Sequence, residues 1–173
     1  DGQITRTFTI SNSGVAALIL TGSPLVTITG SAALDFSLVV SPTTPIAANL
    51  TTTFQVRLAP SVVGTRVATV TIASNDSDRN PYDFAIQGTG CANAITVQNT
   101  NDSGIGSLRQ AIVDVCSGGT IDFGAVLSSR TITLASELTI AKTVTVTNPN
   151  AAGLAVSGNN SVRVFNIGAS GVV

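Results

Sequence analysis

The stretch "TNDSGIGSLRQAIVDVCSGGTIDF", Thr100 to Phe123, reads differently from the chain on either side. Elsewhere Thr, Val, Ile and Ser alternate between Gly and Pro turns, the pattern of strands. Here Leu108, Ala111, Ile112 and Val115 fall at i, i+3, i+4 and i+7, which is one face of a helix. Ser107 followed three residues later by Gln110 is a capping-box start, and Gly118 with Gly119 is a stop. The spacing predicts one short α-helix over about 107–116, with those four apolar residues buried and Arg109 and Asp114 on the wet face.

Upstream, between Arg6 and Gly88, seven runs read as strands: "TRTFTISN", "AALILTG", "LVTITG", "DFSLVV", "TTFQVRL", "TRVATVTIAS" and "YDFAIQG". "TFQVRL" and "RVATVTI" alternate with period two, so each has one buried and one wet face. Seven short strands with turns between them predict an immunoglobulin-like β-sandwich over 1–90. Downstream, "GTIDF" starts at Gly119, "RTITL" at Arg130 and "KTVTVTN" at Lys142, with Asn and Gly at the corners. Short strands recurring this way predict a solenoid of roughly 20 to 30 residues per turn over 91–173. The expected fold class is therefore all-β with a single helix.

Composition narrows the function classes. Apolar residues make up 43% of the 173 and charged residues only 10%, the reverse of a disordered chain. Eight scattered basic residues and a net charge of -1 supply no field for nucleic acid or an anionic membrane. Mean hydropathy is positive, at +0.44. Yet Asn12, Gly14, Gly22, Pro24 and Gly30 break the uncharged run from Thr7 to Leu34, leaving no membrane-spanning stretch. The absence of Met and Trp and the wealth of Thr, Ser and Asn point to a secreted or surface-exposed protein.

With no His, imidazole catalysis and His metal sites are excluded. Asp102, Arg109, Asp114, Asp122, Arg130, Glu137, Lys142 and Arg163 could serve polysaccharide chemistry, but they do not repeat at a coil period. No catalytic residue and no cofactor are expected. Asp76, Asp78 and Asn80 copy the first half of a calcium loop, yet Pro81 and Gln87 occupy its Gly and Glu positions. A surface turn is the preferred reading there, a weak calcium site the minor one. Thr131, Thr133, Thr143, Thr145 and Thr147 have the Thr-x-Thr spacing of ice-binding faces, which ordinary strand propensity also explains.

Two resemblances sharpen the picture. "RTFTISNSGVAALILTGSP" and "TTFQVRLAPSVVGTRVATVTIASNDSDRNPYDFAIQGTG" resemble the Hydin-type (abnormal-spindle/Hydin) immunoglobulin-like repeats of large bacterial surface proteins. That resemblance implies a strand before "RTFTI" that this sequence lacks. "GSLRQAI", with "GGTIDF" and "GLAVSGNNSVRVFNI", resembles the opening of bacterial right-handed parallel β-helix proteins with a "SLREAI"-like signature. That family includes adhesins, polymorphic outer-membrane-associated proteins and some polysaccharide-active enzymes.

A first coil leaves an apolar cross-section and a row of strand groups open to water, so an amphipathic helix across it acts as a cap. Cys91 and Cys116 are expected to form a disulfide that pins the first strand to this cap, the alternative being two buried thiols. Unfinished strands at both ends imply self-association or neighbouring repeats, by strand complementation and head-to-tail stacking. A cell-surface glycan is the other candidate partner, although Tyr82 is the only Tyr available to stack on a sugar. The expected function is a structural or adhesive surface module. The alternatives are a glycan-binding module or the non-catalytic part of a polysaccharide-active enzyme.

Overall fold

A computed structural model describes residues 2–168, 171 and 173. A further coil expected to begin in "GASGVV" falls mostly outside the described residues. The protein is mostly β with one α-helix, and it divides into two units, Gly2–Gly90 and Cys91–Val173. No helix among the described residues is long and apolar enough to cross a membrane.

Gly2–Gly90 holds β1 (Ile4–Ser11), β2 (Thr27–Thr29), β3 (Phe36–Val40), β4 (Thr51–Leu58), β5 (Gly64–Ile72) and β6 (Tyr82–Gly90). They form two antiparallel sheets, ordered β1-β4-β3 and β2-β5-β6. Period-two alternation sends Thr52, Phe54, Val56 and Leu58 of β4 inward, and Ala68, Val70 and Ile72 of β5. Both sheets contribute to a single apolar core. Its centre is aromatic: Phe8 stacks on Phe54 at 5.2 Å between ring centroids and meets Phe84 of the other sheet at 5.6 Å.

The run "AALILTG" is a correction. It makes only two isolated bridges, Leu18 with Ile46 and Leu20 with Ser74. Side chains supply the rest of its backbone partners. Asn12 donates to the carbonyls of Ala16 and Ile46, the Asn75 amide oxygen accepts from Ile19, and the Thr44 hydroxyl accepts from Leu20. Asp35, 4% exposed, accepts from the Ser61 backbone and from the Arg66 guanidinium. The hydrogen bonds from Ser61, then Arg66, hold its carboxyl below the usual range.

Cys91–Val173 holds β7 (Ala92–Val97), α1 (Leu108–Asp114), β8 (Val115–Phe123) and β9 (Thr131–Thr133). Then follow β10 (Leu138–Ile140), β11 (Val144–Val146), β12 (Ala155–Ser157) and β13 (Phe165–Ile167). All pairing here is parallel, in sheets β7-β8-β11, β9-β12 and β10-β13. Gly119 lies beside Val144, Thr131 beside Ala155 and Leu138 beside Phe165, which are 25, 24 and 27 residues apart. From β8 onward the chain visits the three sheets in the same order twice. The 11-residue spacing of the sequence is therefore the step from the β8 sheet to the β9 sheet, and the 12-residue spacing runs from β9 past β10 to β11, back on the β8 sheet.

The helix is shorter than expected. The Ser107 side chain accepts from the Gln110 N–H and its hydroxyl donates to Gly104, but Gln110 turns its own side chain to Asp114. Only half of the capping box forms. Leu108, Ala111 and Ile112 are buried as the helical face. Val115 is fully buried in the same core, but as the first residue of β8. Gly118, with φ of 84°, lies inside β8 and does not stop the helix. The chain leaves the helix by turning extended at Val115, and Lys142 caps the end with its ammonium on the carbonyls of Val113 and Val115. Burial there lowers the Lys142 pKa against the opposing charge of Asp114.

Arg109 is the second correction, since it is far from idle on a wet face. Its guanidinium donates to the Asp102 carboxylate and carbonyl and to the carbonyls of Ser136 and Glu137. Asp102 also accepts from the Ala135 N–H. One planar fork thus ties the helix to the loop before it and to a turn 27 residues on.

Two expectations follow. Ser107→Ala, at a residue with no exposed surface, lowers stability by about 1–2 kcal/mol in urea unfolding. Arg109→Lys and Arg109→Ala both lower the melting temperature more than Arg163→Ala does, because an ammonium cannot reproduce the fork and Arg163 is mostly exposed.

Candidate functional site

The sequence-derived candidates separate cleanly. Cys91 and Cys116 form a disulfide, with Cα atoms 5.0 Å apart and a sequence separation of 25. The bond ties the residue before β7 to the second residue of β8, next to the parallel pair Ala92 and Val115. Asp76, Asp78 and Asn80 serve their turn. The Asp76 carboxylate accepts from the Asp78 N–H, and the Asn80 amide oxygen accepts from the Ser74 N–H. Among the described residues, no three His, Cys, Asp or Glu side chains gather to hold a metal ion.

Two ion pairs form among the described charged residues of the second unit. Asp102 meets Arg109, and Glu137 meets Arg163 and Asn166, with no two carboxylates brought together by these contacts. The Thr ranks lie on two different sheets, Thr131 and Thr133 on β9 and Thr145 on β11.

The feature that could recognise something else lies in Gly2–Gly90 and was not singled out from the sequence. β1 and β6 each end their sheet, so each has one row of backbone groups without a strand neighbour. A groove runs along both. At one end a cavity of about 560 Å³ is lined by Phe8, Ile10, Phe54, Leu18, Ile72 and Phe84, with Asp76, Arg79 and Tyr82 at its rim. At the other a cavity of about 260 Å³ is lined by Ile4, Arg6, Phe36, Leu58, Ile86 and Gly88. Phe8, which meets Phe84 of the other sheet, lines both cavities of this seam.

Residue choice shapes this seam. Arg6 shares the inward parity of Ile4, Phe8 and Ile10 on β1, yet it is exposed and makes no salt bridge among the described residues. Gly88 leaves room for Leu58, whose methyl group would lie 2.1 Å from an added Cβ. Arg79 lies 6.0 Å from the Tyr82 ring centroid, a cation–π contact at the rim. The result is an apolar trough between two hydrogen-bonding edges, with a guanidinium in its wall that has no salt bridge among the described residues.

Comparison with protein-family models, with curated proteins and with solved structures finds no match for this chain.

Acid unfolding is expected to expose the ion pairs. Hydrogen bonds from Arg109 and Ala135 hold Asp102 below its ordinary value of 3.8, and those from Arg163 and Asn166 lower Glu137 from 4.5. The unfolded chain therefore takes up these protons first. Their contribution is complete above the ordinary values and is lost as pH falls through the lower folded ones. Melting temperatures measured from pH 7 down to pH 2 should hold to about pH 4.5 and then drop. Asp102→Asn should flatten part of that drop.

Proposed function

We propose that the protein is a non-catalytic extracellular module of a bacterial surface stalk, fibre or adhesin, working by rigid extension beside neighbouring modules. The observation that carries this reading is the parallel pairing of Cys91–Val173, where the chain returns to each of three sheets after 24 to 27 residues. Stacked coils of a right-handed parallel β-helix have such a return, with α1 as the cap over the first coil. Gly2–Gly90, with two antiparallel sheets around one core, suits a Hydin-type immunoglobulin-like spacer. A disulfide supports an oxidising exterior.

Such a module lengthens a surface structure by adding coils, each buried against the last. Its purpose is mechanical persistence outside the cell, where no chaperone or reductant maintains it. Neighbouring repeats of the same structure are its proposed partners.

Labelling of intact, unpermeabilised cells that make the protein tests this. Antibody against the chain is expected on projections beyond the cell surface in electron micrographs. Label confined to the cytoplasm, or release of sugars from polysaccharide by the purified chain, would sink the reading. The disulfide gives a second check: Cys91→Ser with Cys116→Ser should lose about 3 kcal/mol in denaturant unfolding, the entropy of a loop of this size.

A further inference from the structure

We infer that the Cys91–Cys116 disulfide is a tension bypass. A pull that arrives along the chain through Gly90 crosses the sulfurs from Cys91 to Cys116 and enters β8 directly, leaving β7 and α1 slack. The inference rests on the reading of the protein as a mechanical module and names the part of it that is spared.

The covalent path comes first. Gly90 ends β6 and Cys91 opens the second unit, so tension passed along the chain from one unit to the other runs through that residue. The peptide route from there to Cys116 takes in β7, the loop after it and α1. The sulfur bridge closes that route off with a much shorter one, and covalent bonds hold at forces that strip strands.

The two possible seats for the pull differ. Among the described strands β7 is an edge with β8 as its one neighbour, whereas β8 is flanked by β7 and β11. The β7–β8 ladder is also broken at the end where tension would enter. Ala92 lies beside Val115 but Ala94 beside Thr120, so Asn93 alone faces Cys116–Gly119. Beyond the break, only the pairs from Ala94 with Thr120 to Val97 with Phe123 hold β7. On its other side β8 is seated by its pairs with β11, by the Gly118 N–H on the Thr143 carbonyl and by Lys142 on the Val115 carbonyl.

What is spared matters to the core. Val97 of β7 and Leu108, Ala111 and Ile112 of α1 are buried in one cluster with Ile121 and Ile132. A pull through β7 would draw these out first and wet the rest. A helix of seven residues has little stability of its own with which to resist.

Force spectroscopy on the whole chain, held by its two ends, compares the oxidised protein with Cys91→Ser, Cys116→Ser. The second unit is recognised by the event whose released length grows when the bond is absent, by at most about 90 Å for a separation of 25. That event is expected at about half the force in the double variant, where one ladder takes the pull in place of two. Lost stability would also lower the force, so a third protein adds Ser117→Cys, at an exposed position, to the double variant. Held through that thiol and at the C-terminal end, it receives the pull in β8 and should recover the force of the oxidised chain.

Equal forces with and without the bond, or no recovery on pulling from position 117, would overturn the proposal. These forces are read on purified protein and leave the surface-labelling result untouched, so the two readings fail separately.

Discussion

The guanidinium of Arg109 is the fastening on which the second unit depends. Strands of three residues cannot hold one another by ladder hydrogen bonds alone, and β9 to β13 are all of that length. Their apolar side chains supply the driving force, with Ile132, Ile140 and Ile121 wholly buried. What apolar burial does not supply is direction, since it is indifferent to which turn lies against which helix. Four directed hydrogen bonds from one planar group settle that, joining α1 to the loop at Asp102 and the turn at Ser136–Glu137.

The first unit meets a similar need with uncharged groups. Its irregular stretch Ala16–Leu20 lies against other segments without continuous pairing, and the amides of Asn12 and Asn75 and the hydroxyl of Thr44 complete it. Asn12 is 7% exposed and fully engaged, accepting from Gly14 as well as donating twice. A chain with so few charges relies on short polar side chains to satisfy its buried peptides. The Asn and Thr wealth that reads as surface composition is partly internal.

These cases show what could be read in the residues and what could not. Strand periodicity in "TTFQVRL" and "TRVATVTI" was plain because each has a single wet face. The helix declared itself through Leu108, Ala111 and Ile112, and the disulfide through a chain with only two cysteines. Its end did not, because Val115 and Cys116 satisfy helical spacing equally well but are drawn into β8 beside β7 and the disulfide. The recurrence of short strands anticipated a return of roughly 20 to 30 residues, and parallel partners lie 24 to 27 apart, whereas the identity of a sheet edge leaves no local mark. The seam between β1 and β6 follows from strand order, which is a property of the whole unit.

Lys142 places a constraint on the order in which the molecule can be made. The carbonyls of Val113 and Val115 receive their ammonium from a residue nearly thirty positions later, as the guanidinium of Arg109 receives Ser136 and Glu137. While the chain emerges from its N-terminus, α1 has its Ser107 start but neither its terminal counter-charge nor its lateral tie. A seven-residue helix is too short to persist alone in water. Its cap is therefore complete only when the chain behind it has been delivered as far as residue 142. The growing unit sets from its leading end only after a fixed lag, and each length of chain consolidates the one before.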